Sequence, residues 1–551
     1  MTAYALETRT LSSLAKVFTD CELLHDEYLE GSALLGESYS FQVAYRSTER
    51  IKDIRVQVSS DLDGGIELYR VGHVPSEFPI YHDHDEHVIR TTPGLYPDPL
   101  YPNAALEGVT AVGGQWRAVW ITVQVKPDTT AGAHPISIRF ESKEGEALGE
   151  ACFRLNVISS ELPKQRLIHT EWFYADCIMD YYETDMFSEA HWSLIEKYVE
   201  TASQYGINMI LTPIFTPPLD TKVGGERTTT QLVDVTKTED SYTFGFEKLE
   251  RWIALCQSKG IEYFEFSHLF TQWGAGHAPK IMGTENGEYK RLFGWETDAA
   301  GDDYRSFLDQ FLPELVAFIR ERKLEKLCYF HISDEPYADH MEAFKNAVSI
   351  VEKHLSGFPR IDALSNIAYY EEGLVPKPIP ASNHIEPFLE RGISGLWTYY
   401  CCSQYKETAN RFFCFPSARS RILGIQLYKF QIEGFLHWGF NFWNSQFSLR
   451  QLNPFEVTDC DLSYPSGDAF LVYPGESGPI PSLRMKVVYE AKQDLRALQL
   501  LEGYMGRDKV IELLEEGLEE PITFKQYPRS EEWLLGKRAE INNRIGELAG
   551  K

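Results

Sequence analysis

The sequence predicts a multidomain chain: an N-terminal β-sandwich, a (β/α)8 barrel of the TIM type, and a C-terminal helical extension. Three observations lead there. The chain has 551 residues, too many for one hydrophobic core and suited to two or three. Up to about residue 160, short runs rich in Val, Ile and aromatics alternate with polar residues and turns, as in antiparallel sheets. Beyond it, strand-like runs alternate with amphipathic helical ones, the pattern of a parallel sheet. The expected domains are 1–160, 161–484 and 485–551.

In the first domain the runs SFQVAYRS, IKDIRVQVSS, IELYRVGHV, WRAVWITVQV, HPISIRF and ACFRLNVIS read as strands, with DLDGG and PDTTAG as turns. ISSELPKQR then reads as a linker. In the second, LIHTEWFY, INMILTP, IEYFEFSHLF, LCYFHISDEP, RIDALSN, GLWTYYC and GFLHWGFNFW are the strand-like segments. Helical segments separate them, two of which stop at glycines, Gly206 and Gly260. Around eight units favour a closed barrel. An open doubly wound sheet is disfavoured, because no glycine-rich dinucleotide turn follows any strand. From about residue 485 three helical segments carry charges of alternating sign, which predicts a helical cap with a solvated face.

Composition excludes several functions. Hydrophobic residues make up 43% and aromatics 13%, which excludes wholesale disorder. The net charge of -28, from 53 basic and 81 acidic groups, speaks against binding to nucleic acid or to an anionic membrane. The nine cysteines are scattered and odd in number, with Cys401 and Cys402 adjacent and no C-x-x-C pair. They predict free thiols in a reducing cytoplasm. The first residues lack a basic region followed by an apolar one, so no signal peptide is expected.

Chemistry should gather at the C-terminal rim of the strands. Those ends offer His169, Glu171 and Trp172; Glu265, His268, Gln272 and Trp273; His331, Asp334 and Glu335; Asp362; Tyr399; and His437, Trp438, Asn441 and Trp443. The adjacent acids Asp334 and Glu335 stand out. Like charges this close raise each other's pKa, and a solvated face explains them poorly after an apolar run. A helix N-cap is a rival role for Asp334, but Asp339, with Glu342 three residues on, is the better placed cap. Glycoside cleavage usually employs two separated carboxylates, and neighbours on a regular strand point to opposite faces. Adjacent acids fit another layout, in which a 2-acetamido sugar attacks its own anomeric carbon through the amide oxygen. The protein then supplies an acid/base and a carboxylate that orients the amide and steadies the developing charge. Both could come from one strand end if the chain turns there.

The pieces FHISDEP, GFLHWGFNFWN and GDAFLVYPGESGPIPSLRMKVV resemble glycoside hydrolase family 123, over about residues 165 to 500. The resemblance implies a retaining β-N-acetylgalactosaminidase that needs no cofactor or metal. It would place Asp334 on the acetamido nitrogen and Glu335 as general acid/base, with Tyr399, Trp438 and Trp443 lining the sugar pocket. Glu171, His268, Trp273 and Asn441 on the rim complete the expected substrate contacts. The sequence departs from the family at three points: no leader is expected although secreted members exist, KVVYEAKQDLRALQ stands where relatives carry a Glu-Asp-Tyr run, and residues 217–232 insert a polar loop, PPLDTKVGGERTTTQL. That loop, through Asp220, Glu226 and Arg227, is expected to cap the pocket. The departures suggest a divergent cytoplasmic subgroup acting on an oligosaccharide or glycoside, with homo-oligomerisation left open.

Two other functions compete. One is a metal-dependent sugar lyase or isomerase using His169, Glu171, Glu265 and His268. The other is a carbohydrate-binding protein without turnover. The cluster YHDHDEH, residues 81–87, matches no defensible zinc pattern and reads as a solvated loop. DLDGG lacks the later ligand positions of a calcium loop.

Overall fold

The computed structural model describes residues 5–62, 65–102 and 107–550. Two residues of the DLDGG turn and the first four of the chain lie outside that set. The molecule is a mixed α/β multidomain fold. Its N-terminal part holds two five-stranded sheets. One contains Ser38–Arg46, Arg117–Gln124 and Ile66–Ser76, all paired antiparallel. The other is built on the antiparallel pair Gly132–Glu141 and Ala147–Glu161. The last of these strands runs through ISSE, so half of the expected linker is strand. Phe41, Val43, Ile121, Ile138, Phe140 and Phe153 are buried between the sheets, which is why their runs alternate apolar with polar.

Eight short parallel strands follow: β1 (Ile168–Glu171), β2 (Met209–Thr212), β3 (Tyr263–Phe266), β4 (Cys328–Phe330), β5 (Ile361–Leu364), β6 (Lys377–Pro380), β7 (Trp397–Tyr399) and β8 (Gly434–His437). Six of them form one sheet in the order β4-β3-β2-β1-β8-β7, and β5 pairs with β6. Single parallel bridges, Phe330 to Arg360 and Ala381 to Tyr399, link the pair to the edges of the six. Nearly every residue of these strands is buried on both faces, as expected when helices cover one side of a parallel sheet. Glu189–Gln204 is the helix after β1, capped by the Ser188 side chain; Asp302–Glu321 precedes β4.

Four features differ from the sequence reading. A four-stranded sheet (Asp234–Thr238, Ser241–Gly245, Ile281–Glu285, Glu288–Phe293) is built from insertions after β2 and β3; its polar runs carry no period that separates them from loops. Asp339 is no cap: it lies inside a 3-10 turn, Ala338–His340, and the helix starts at Met341 with no side-chain cap. Helix Leu483–Met505 has no solvated face of the expected kind, since Lys486, Glu490, Lys492 and Asp494 are all buried. The two acids are paired: Arg421 and Arg538 both reach Asp494, and Arg421 also reaches Glu490; Lys492 instead donates to His169 Nδ1 and the Tyr205 carbonyl. YHDHDEH is not a free loop either. Asp85 holds Arg419 through both carboxylate oxygens and Asp83 accepts from Lys406 and Tyr405, tying this segment to the loop after β7 and to the helix Ser417–Arg421 that follows it. Among the described residues no helix is long and apolar enough to cross a membrane.

Candidate active site

Strand β4 ends at Phe330, and the next five residues are held by backbone contacts from both sides. Ser333 N donates to Asp362 at 3.2 Å and Ser333 Oγ to the Thr271 carbonyl at 2.7 Å. Trp273 N donates to the Asp334 carbonyl at 2.9 Å, and Glu335 N to the Ala363 carbonyl at 3.1 Å. Glu335 itself sits in the left-handed region, φ 42, a conformation that costs a non-glycine residue energy and persists only when its surroundings impose it. The turn cancels the strand alternation, and both Asp334 and Glu335 line one cleft of about 110 Å³. Trp172, Trp273, Tyr399 and Trp438 give it aromatic walls, and Asp220 adds a third carboxylate.

The two acids have different surroundings. Glu335 Oε1 accepts a 2.6 Å hydrogen bond from the Tyr399 hydroxyl. Asp334 Oδ1 is buried and, among the described residues, has no hydrogen-bond partner. Burial raises the pKa of both. Asp334 is raised well above the usual carboxylate range, by burial first and by the Glu335 charge second; for Glu335 the Tyr399 bond opposes the rise. Burial therefore favours the protonated form of both acids, and more strongly at Asp334, where the Glu335 charge adds to it, than at Glu335, where the Tyr399 bond opposes it.

Beneath the pair lies a buried network. Glu265 accepts from Thr170 Oγ1, Trp172 Nε1 and His331 Nε2, at 2.5, 2.8 and 2.5 Å. His331 Nδ1 faces Asp362 at 3.4 Å. Burial would lower the His331 pKa, but Asp362 and Glu265 outweigh it and lift it to about 10. The His268 ring stacks on His331, centroids 4.2 Å apart, and burial keeps His268 neutral. His268, His331 and Asp362 each bring one donor atom within 4.8 Å of the others, a spacing compatible with a metal ion.

The expected contacts separate into two groups. Asp220, Trp273, Tyr399 and Trp438 line the cleft with Asp334 and Glu335. Glu171, Arg227, His268, Asn441 and Trp443 do not. Glu171 is buried against Arg411 at 2.7 Å and His169 at 3.1 Å; burial would raise its pKa, but Arg411 holds it at about 2. Lys492 donates to His169 Nδ1 at 2.8 Å, so His169 and Glu171 belong to a cationic cluster apart from Glu265 and His268. Asn441 bonds the backbone of Tyr174 in both directions, and Trp443 Nε1 donates to the Val472 carbonyl. Arg227 is buried in a two-point pair with Asp176 and also donates to the Leu219 carbonyl; Glu226 instead pairs with Lys280 and Arg291 outside the cleft. The 217–232 insertion is thus partly core, and what it presents to the cleft is Leu219 and Asp220. Sequence reasoning missed Tyr174, Tyr464, Cys401 and Cys402 as wall residues. Tyr464 lies three residues before the GDAFLVYPG motif, the one signal that could have pointed to it.

A search of curated proteins finds no match. Among solved structures, a family 123 glycoside hydrolase from Clostridium perfringens, determined in a study of glycolipid glycan hydrolysis, is similar with a TM-score of 0.75 and 16% identity, over 98% of this chain and 97% of that one. A putative β-galactosidase from Bacteroides fragilis is much more distant, with a TM-score of 0.31 and 9% identity over 84% and 58% of the two chains. The model of the glycoside hydrolase 123 catalytic domain matches residues 172–501, more than half of the sequence, and on that match the chain belongs to glycoside hydrolase family 123.

Proposed function

We propose that this hydrolase removes a β-linked N-acetylgalactosamine, or a related 2-acetamido sugar, with retention and by substrate assistance. The observation that carries the reading is that two adjacent carboxyl groups open into one cleft because of the left-handed turn at Glu335. Asp220 is the other carboxylate there, but both its oxygens already accept, from Tyr464 and from Phe447 N, which suits a fixed wall better than a nucleophile. In this mechanism the substrate's acetamide N–H donates to the unpartnered Asp334 oxygen. That favours the ionised form of Asp334, and the charge on Asp334 in turn favours the protonated form of Glu335. The amide oxygen attacks the anomeric carbon, Glu335 protonates the departing oxygen, and Asp334 faces the oxazolinium charge. Water then opens the ring as Glu335 takes its proton back. The eight parallel strands and their two linking bridges support a (β/α)8-type barrel behind this site, preceded by a sandwich. The nine free thiols support a cytoplasmic enzyme, and the perfringens relative supports a glycan carried on a larger aglycone.

Aryl glycosides test the reading. The β-N-acetylgalactosaminide should be cleaved, the 2-hydroxy counterpart should not, and a thiazoline analogue should inhibit; equal turnover of the 2-hydroxy sugar defeats it. A second reading, a metal-dependent sugar enzyme, is favoured by the spacing of His268, His331 and Asp362. It requires His331 to surrender its contact with Asp362 to the ion. Metal analysis of the purified protein, with activity before and after chelation, separates the two.

A further inference from the structure

The cleft contains three carboxylates, Asp220, Asp334 and Glu335, and among the described residues lining it there is no Lys, Arg or His. Three cationic groups outside its lining are engaged elsewhere. Arg227 passes within 4.9 Å of the Tyr174 ring centroid, but its Nε and Nη2 go to Asp176 and its Nη1 to the Leu219 carbonyl. Arg411 gives Nη1 to Glu171 and Nη2 to His437 and the Gly439 carbonyl, and His331 lies beneath the floor between Glu265 and Asp362. A sulfate or carboxylate on the substrate would lose its hydration and meet no compensating charge, and a buried anion without a partner is costly. The net charge of -28 repels anions at longer range as well.

We propose that this site selects uncharged 2-acetamido sugars and rejects sulfated ones, and that Asp220 is the residue that sets this selection. The inference rests on the hydrolase reading above and adds the substrate class. Asp334 and Glu335 are committed to the chemistry, and Asp220 has no such task. Its carboxylate is fixed by the Tyr464 hydroxyl at 3.0 Å and Phe447 N at 3.1 Å, while Ser448 Oγ holds its carbonyl at 2.8 Å. Its backbone is left-handed, φ 37, so the group cannot swing aside without breaking the contact between the 217–232 loop and the 446–464 segment. A rigid negative wall discriminates by charge; a mobile one would turn to solvent. Two like charges about 6 Å apart at an effective dielectric of about 20 correspond to roughly a hundredfold in kcat/KM.

The test uses the intact protein and four aryl glycosides: the β-N-acetylgalactosaminide, its 4-O-sulfate, its 6-O-sulfate and its 6-O-methyl ether. The neutral pair should be turned over and both sulfates should fall by about a hundredfold or more. In Asp220→Asn the ratio of neutral to sulfated turnover should narrow by most of that hundredfold. Sulfates cleaved as fast as the parent would overturn the selection. Rejection of the methyl ether as severe as that of the 6-sulfate would make the exclusion steric. An unchanged ratio in Asp220→Asn would remove Asp220 from the role. If no aryl glycoside is cleaved, the hydrolase reading has failed, and selection is still read by calorimetry with free N-acetylgalactosamine and its 6-sulfate. Binding of the neutral sugar alone is then expected, and equal binding of both overturns the proposal.

Discussion

The Tyr399 hydroxyl donates a 2.6 Å hydrogen bond to Glu335, while the neighbouring Asp334 keeps a buried oxygen that has no partner among the described residues. One neighbour thus makes two adjacent acids unlike. A donor to a carboxylate favours its ionised form, so Tyr399 opposes the protonation that a general acid needs.

Tyr399→Phe should consequently move the basic limb of kcat/KM to higher pH. The sign follows from the bond: Tyr399 holds the Glu335 pKa down, and its removal lets the acid keep its proton longer. A hydrogen bond to a charged group contributes about 1.5 kcal/mol, so the limb should move by about one pH unit. A pH–rate profile on an aryl glycoside measures it, and a limb that stays put or moves down removes Glu335 as the titrating acid.

Glu335→Gln and Asp334→Asn should divide by leaving group. Loss of the acid should hurt poor leaving groups most, and dinitrophenolate least. Loss of Asp334 should cut all of them alike, by on the order of a hundredfold, because charge development at the anomeric carbon is common to the series. A leaving-group series with each variant decides the assignment; the opposite pattern reverses the two roles.

Asp334→Asn should also stabilise the protein at neutral pH. The folded state raises the Asp334 pKa well above 3.8, so it binds a proton more tightly than the unfolded chain does. The stability this gives is complete below pH 3.8 and is lost as pH rises through the folded value. Asparagine cannot ionise. The variant's Tm at pH 7 to 8 should exceed the wild type's by about 1 °C, the shift that about 1 kcal/mol gives in a chain of this length, and the gap should close towards pH 4. Thermal melts across that range check it; a lower Tm at pH 8 contradicts the burial argument.

Arg227→Ala should lose stability before it loses specificity. The guanidinium and the Asp176 carboxylate are both buried and paired at 2.8 Å, and stripping one partner leaves an uncompensated charge at a cost of about 3 to 5 kcal/mol. Arg227→Lys should recover little, since a single ammonium cannot hold Asp176 and the Leu219 carbonyl together. Denaturant unfolding measures both; an unchanged midpoint for the alanine variant would return the loop to the solvated class.

The strands and helices flanking the site were legible because period and glycine stops are local properties. The run CYF before HISDEP is strand, and SEAHWSLIEKYVETASQ is helix with Ser188 as its cap. The position of Asp334 and Glu335 just beyond a strand end was also legible, since the apolar run before them is local. What the sequence left open was direction and partnership. The left-handed turn at Glu335 is imposed by contacts to Trp273 and Ala363, residues 62 and 28 positions away in the chain, and no local pattern encodes it. Asp220, Arg227 and Glu171 look alike as rim charges, yet one faces the cleft, one is neutralised by Asp176 and one by Arg411. Likewise the alternating charges of Leu483–Met505 resemble a solvated face, yet Glu490 and Asp494 are buried and paired with Arg421. A buried charge is tolerable only beside its partner, and those partners come from distant elements that only the tertiary structure brings together.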